Sequence, residues 1–333
     1  MQRLTLALLM LCLLGGAVSA QIFMEPFNYT PGTTIGVWAE HLGDWNAVNS
    51  TAFGPVAESE QKRAYQYLVY PAATHTLQDC AADCMVYYNT GSSQALQFGG
   101  PALRVNNPAA NTDLFHVKVQ DNNSNGAFDS IWLYERPGGS ASKTGITPEF
   151  TTAMVRLLCI GNRLEAQVDT TGDGLWDYVV TKTGTMTVKP GPVGLCAYGG
   201  AWMDDYNLFD AVMLDDTPVV KPQLNTTIKF VMRGLPNAKF QAASSLGNAG
   251  IPLPDGRVIP LTADSLFYLS ISGVLPSIFM GYNGTMDGSG DSFVEVALPN
   301  IPSLVGVTFY TSFANYSTSI LNISNDHQVT IVP

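Results

Sequence analysis

The chain has 333 residues, of which 31 are Gly, 20 are Pro and only 13% carry charge, a composition suited to many short strands joined by tight turns. The length suits two domains, and no long amphipathic helix can be traced. A formal charge of −11 repels phosphate backbones, so no nucleic-acid partner is expected.

Residues 1–20 open on Arg3, run apolar from Leu4 to Leu14 and end on Val18-Ser19-Ala20, the pattern of a secretory signal peptide cleaved before Gln21. That run is too short to span a bilayer, and no later segment approaches ~18 apolar residues. The mature chain is therefore expected to be secreted, extracellular or at the cell surface, without membrane insertion. Cys12 leaves with the signal, and Cys80, Cys84, Cys159 and Cys196 remain, an even number that reads as two disulfides in an exported protein. Of three pairings, Cys80 with Cys84 and Cys159 with Cys196 is expected. The first requires 80–84 to bend, since residues four apart on a straight strand are ~13 Å from each other.

Further along, 22–27 reads as a first strand, and 36–48 carries Trp38 and Trp45 around a polar turn. Strands follow at 85–88, 94–98 and 102–105. Segments 114–120 and 130–135 form a hairpin across the loop 121–129, with Trp132 and Tyr134 assigned to opposite faces. From 163 to 168, Leu164, Ala166 and Val168 alternate with Arg163, Glu165 and Gln167, the period of a strand with one buried face. Turn formers fill 169–177, strand resumes at 178–181, and Gly and Pro bound the connection 183–191. The segment DDTPVVKPQ then supplies a linker. Beyond it, 227–233, 239–244, 266–271, 293–298, 305–313 and 328–332 read as strands of a sandwich of immunoglobulin-like size.

The stretches GNRLEAQVD and GPVGLCAYGGAWMDDYNLFDAV resemble the closing strands of concanavalin A-like, laminin-G-like jelly-roll domains. The last strand of such domains often carries an apolar or aromatic residue, one or two Asp and another aromatic, as Met203, Asp204, Asp205 and Tyr206 do here. GIPLPDGRVIPL and the later GTMDGSGDSFVEVALPNIPSLVGVTFYTSF resemble C-terminal modules of secreted bacterial proteins. The expected protein is all-β: a jelly-roll β-sandwich over 21–215, a linker over 216–223 and a smaller immunoglobulin-like β-sandwich over 224–333. The resemblance implies a non-catalytic, lectin-like domain that binds carbohydrate or a cell-surface polymer, the alternatives being a structural or adhesive protein without a sugar site and a polysaccharide-active enzyme. Trp38, Trp45 and Trp202 are the candidate stacking platforms, each also a candidate for the core.

One short pattern occurs twice. Asp121-x-Asn123-x-Asn125-Gly126-x-Phe128-Asp129 aligns without gaps onto Asp169-x-Thr171-x-Asp173-Gly174-x-Trp176-Asp177. Alternating oxygen side chains before a Gly resemble the first half of an EF-hand loop, which points to calcium. Trp132 and Val180 stand where the twelfth, bidentate carboxylate belongs, and a plain Asn/Asp/Gly hairpin turn is the competing reading. The jelly-roll resemblance implies a second calcium arrangement, with Glu25 and Asp204 or Asp205 as ligands. Catalytic groups are not found: His41, His75, His116 and His327 are scattered, no nucleophile elbow or metalloprotease helix occurs, and Glu165 and Asp169 read as a solvated strand face.

Overall fold

The protein is described by a computed structural model covering residues 21–25, 39–41, 45–50, 54–59, 65–70, 79–172, 176–185, 189–209, 211–215, 222–254 and 257–333. The signal-like segment 1–20, Trp38, Asp173 and linker residues 216–221 lie outside these. The chain divides into two compact units between Leu208 and Phe209.

The first unit is a two-sheet antiparallel sandwich. One sheet runs β13 (Tyr178–Thr183), β12 (Arg163–Asp169), β11 (Thr152–Ile160), β6 (Cys80–Tyr87), β15 (Trp202–Phe209), β4 (Gly54–Ser59), β3 (Trp45–Ser50), with β1 (Gln21–Glu25) also on β15. The other runs β10 (Gly139–Lys143), β9 (Ser130–Arg136), β8 (Leu114–Gln120), β7 (Phe98–Leu103), β14 (Gly194–Tyr198), β5 (Gln66–Val69), β2 (Ala39–His41). Alternation and register decide which side chains meet between the sheets. Ala82, Cys84 and Val86 of β6 share a face with their partners Leu157, Val155 and Ala153 of β11, and all are buried. Opposite them lie Phe115, Val117, Val119, Ile131 and Leu133. The sheets approach so closely at β7 that a Cβ on Gly99 would sit 2.9 Å from Val86 Cγ1. On β15, Asp205 adopts φ 49, which takes one residue out of alternation and lets both Met203 and Tyr206 reach the interior.

The second unit is also a two-sheet sandwich. Its four-stranded sheet runs β16 (Val212–Asp215), β17 (Thr227–Arg233), β23 (Asp291–Ala297), β21 (Phe279–Met280); its five-stranded sheet runs β22 (Asn283–Thr285), β18 (Lys239–Ser245), β24 (Thr308–Tyr316), β25 (Ile320–Ile323), with β26 (His327–Thr330) on β24. The hairpin β19 (Ile251–Pro252) and β20 (Val258–Ile259) stands apart. Phe230, Met232 and Val294 from one sheet and Phe240, Phe309 and Phe313 from the other form one core. Residues 212–215, expected in the first domain, pair with β17 instead, and Asn325 holds this strand by accepting from Met213 N–H and donating to Met213 C=O, both at 3.0 Å. Of the expected linker, Gln223 forms a parallel bridge with Val332. The segment expected as strand 266–271 is the helix α1 (Ser265–Ile271), because Asp264 caps it, its carboxylate accepting from Phe267 N–H at 2.9 Å.

The expected disulfides do not fit this register. Cys80 and Cys84 sit on one continuous strand, so they are ~13 Å apart rather than joined across a bend. Cys159 faces the sandwich interior, whereas Cys196 stands opposite Tyr67 on the outer face of the other sheet. All four cysteines are buried and none is in a disulfide, and only Cys80 and Cys159 stand directly opposite each other, on β6 and β11. Peptide mapping of unreduced protein is therefore expected to show neither a Cys80–Cys84 nor a Cys159–Cys196 link, and any bridge present should join Cys80 to Cys159. A Cys80–Cys84 peptide would mean that β6 is broken.

Candidate functional site

Both sheets of the first unit carry polar groups on the face turned away from the interior, and the two faces differ in how their charges are matched. On the eight-stranded sheet, register sets Asp83, Arg156 and Gln167 in one row. The Arg156 guanidinium donates twice to Asp83 Oδ2, from Nη2 at 2.7 Å and Nε at 2.9 Å, while Asn207 Nδ2 donates to Asp83 Oδ1 at 2.9 Å. Trp176 lies over the guanidinium, 4.7 Å from ring centre to Cζ. Glu165, expected on a solvated face, is buried and accepts from Gln167 Nε2 at 2.8 Å. A buried ion pair with its remaining hydrogen bonds filled is what structural charges look like.

The outer face of the seven-stranded sheet is different. Alternation along β8 puts His116 and Lys118 on it; β9 contributes Trp132, Tyr134 and Arg136; β7 and β14 add Phe98, Cys196 and Tyr198; Tyr65 stands just before β5. Trp132 and Tyr134 share this face, as residues two apart on a regular strand must, and their rings stack 5.9 Å apart at 21°. The assignment of the pair to opposite faces is thereby corrected. His116 stacks on Tyr134 at 5.0 Å, and Phe98 on Tyr198 at 5.0 Å. Lys118 Nζ lies 4.0 Å from the Phe98 ring centre and 5.0 Å from that of Tyr134, and the Arg136 guanidinium is 4.7 Å from both Tyr65 and Tyr134. Gly100 must be Gly, since a Cβ there would strike the Val117 carbonyl.

No carboxylate answers these cations among the described residues. Lys118 Nζ reaches only the Tyr65 hydroxyl, at 3.4 Å, and Arg136 Nη2 donates to the same oxygen at 2.7 Å. His116 is fully buried with neither ring nitrogen hydrogen-bonded. Burial, aided by Lys118 and Arg136, holds its pKa well below the usual imidazole range. Burial also brings Lys118 down to about 8, and pushes the neighbouring Cys196 thiol up to about 12. The aromatic rims of Tyr65, Trp132, Tyr134 and Tyr198 remain half-buried. This is a patch of stacking surfaces over unmatched donors, the composition of a ligand site.

Of the tryptophans chosen from sequence, Trp45 and Trp202 do not share a face. Trp45 is fully buried. It pairs with Ser59, one residue out of step with the Glu58–Trp202 pair, and so occupies the other face of the sheet from Trp202. That makes Trp45 a core residue; Trp38 is outside the described residues.

The two Asp/Asn loops satisfy themselves. Asp121 is fully buried and accepts from the N–H groups of Ser124 at 2.6 Å, Asn125 at 3.3 Å and Gly126 at 3.0 Å, and Asp129 accepts from Asn122 N–H at 3.0 Å. Asn123 and Asn125 donate their side-chain amides to Glu149 at 2.8 and 2.7 Å. In the second copy, Asp169 accepts from Thr171 N–H at 3.0 Å and Gly172 N–H at 2.7 Å, and Asp177 from Thr170 N–H at 2.8 Å. These hydrogen bonds hold the described carboxylates in Asx-type turns. Asp204 accepts from Asp205 N–H at 2.9 Å; Asp173 and the Glu25 side chain lie outside the described residues. Among the described residues no group of three or more His, Cys, Asp or Glu could hold a metal.

Two consequences are measurable. Arg156→Ala leaves Asp83 buried without its counter-charge and should cost about 3–5 kcal/mol in denaturant unfolding. Lys118 has a folded pKa below its unfolded one, so the unfolded chain holds more protons between about pH 8 and 10.5, and the contribution of this residue to stability rises with pH across that window. Lys118→Met should accordingly melt higher than the wild type at pH 7, with the gap narrowing above pH 8.

No family model and no curated protein matches the chain. Among solved structures, the chain is similar to the exoplasmic/lumenal domain of VIP36 in its Ca2+-bound form, at 10% identity and a TM-score of 0.39 over 56% of this chain and 88% of that one. It is similar to the carbohydrate binding module CBM66 from Bacillus subtilis at 12% identity and a TM-score of 0.38, over 54% and 99% of the two chains. Lectin II from Ulex europaeus matches at 10% identity with a TM-score of 0.37, over 54% and 94%.

Proposed function

We propose that this is a secreted, non-catalytic carbohydrate-binding protein whose ligand lies against the outer face of the seven-stranded sheet. The observation that carries this reading is the row of half-buried rings, Tyr65, Trp132, Tyr134 and Tyr198, over His116, Lys118 and Arg136. Flat rings cover the apolar faces of pyranose sugars, and the donors beneath them supply the orientation that stacking alone does not. The secretory role rests on residues 1–20, and the second sandwich serves as an accessory or anchoring module.

Affinity gel electrophoresis of the full chain against a panel of soluble polysaccharides tests this reading. Retardation by at least one polymer is expected, with Trp132→Ala and Tyr198→Ala each weakening it by roughly tenfold, the order of a lost aromatic contact. Trp202→Ala should leave it unchanged. Retardation that survives both substitutions but disappears with Trp202→Ala would move the site to the other sheet. No retardation by any polymer would favour a structural or adhesive role.

A further inference from the structure

The charge on this face narrows the ligand. Lys118, Arg136 and His116 converge beneath the aromatic rims, and among the described residues the one oxygen that Lys118 and Arg136 share is the Tyr65 hydroxyl. A neutral phenol is a weak answer to two cations: moving an ammonium out of water costs several kcal/mol unless a counter-charge takes the place of its hydration. Acids are not scarce in a chain of net charge −11. Elsewhere in the same unit described cations at low exposure are matched, Arg104 with Asp79 at 3.2 Å, Arg156 with Asp83 at 2.7 Å and Lys182 with Glu135 at 3.3 Å. The unmatched set occurs where rings are laid out for a sugar.

We infer that the missing counter-charge arrives with the ligand, and that the face binds a polysaccharide of uronic acids, with one sugar carboxylate seated against Lys118 and Arg136 and the rings stacked on Tyr134 and Trp132. The inference rests on the carbohydrate-binding reading of the same face. Arg136 presents a planar fork suited to a carboxylate, and its Nε makes no hydrogen bond. The groups facing Lys118 are Arg136 and Tyr134 of β9, His116 of β8, Phe98 of β7, Cys196 of β14 and Tyr65 before β5. None of them is an acid that would hold the lysine charged against deprotonation. Burial has already brought its pKa to about 8, so affinity should fall as the pH passes that point.

The test is calorimetric titration of the full chain with polygalacturonate, with the same polymer fully methyl-esterified, with dextran sulfate and with a neutral mannan. Polygalacturonate is expected to bind, and the ester to bind roughly tenfold more weakly or less, the order of one lost charge-assisted hydrogen bond. Lys118→Met and Arg136→Gln should each weaken the acid polymer by a similar factor, and Lys118→Met should leave the melting temperature undiminished, since it removes an unmatched buried charge. Equal binding of acid and ester, or binding of mannan alone, would overturn the uronate assignment and leave the carbohydrate reading standing. Preference for dextran sulfate over polygalacturonate would replace the carboxylate by a sulfate and overturn the assignment too. Binding of none would overturn both.

Discussion

The first unit depends on the placement of one strand. Thr152–Ile160 is hydrogen-bonded to Cys80–Tyr87 on one side and to Arg163–Asp169 on the other, and its nine residues alternate between two environments that cannot be exchanged. In the observed register Val155, Leu157 and Cys159 enter the sandwich while Arg156 turns outward to Asp83. A slip by one residue would drive the guanidinium into the apolar interior and bring three buried side chains to the outside, a change that no local rearrangement could offset. The Arg156–Asp83 pair therefore contributes less as net energy than as a penalty on wrong registers.

The same alternation produces the candidate site, on the other sheet and by the opposite means. There the outward positions are filled with rings and cations instead of matched charges, and small residues at Gly100, Ala102 and Cys196 leave space for Lys118 and His116 to lie down among them. A patch of this kind is costly to keep in an otherwise well-paired protein. Its cost is the argument for a ligand.

Much of the architecture was legible from residues alone. Period-two patterning found 163–168, 227–233 and the 114–120/130–135 hairpin almost to the residue, because polar and apolar residues alternate along each even where both faces are buried. What escaped was long-range or hidden by ambiguity. SLFYLSI is apolar enough to pass for a strand, and only the Asp264 cap betrays the helix. The cation cluster draws on Tyr65, Phe98, Lys118, Arg136 and Tyr198, which no local pattern joins; only strand order does. A signal was present all the same, since His116 and Lys118, and Trp132, Tyr134 and Arg136, recur at every second residue. Reading Trp132 and Tyr134 as opposed concealed it. The Asp/Asn loops are a separate case: a calcium loop and an amide-capped turn draw on the same residues at the same spacing.

The clasp of Asn325 on Met213 bears on where the second unit begins. One side-chain amide supplies both the acceptor and the donor that a neighbouring strand would offer, so β16 is sealed by a residue more than a hundred positions downstream. The acidic, proline-containing segment that looks like a boundary is thus preceded and followed by two strands paired with each other, β16 and β17. A fragment begun at Leu224 would discard an edge strand, leave the Asn325 side-chain oxygen without the Met213 N–H it accepts from, and expose the flank of β17 to other chains. The inheritable module, the piece that could be moved intact between proteins, starts upstream of Met213.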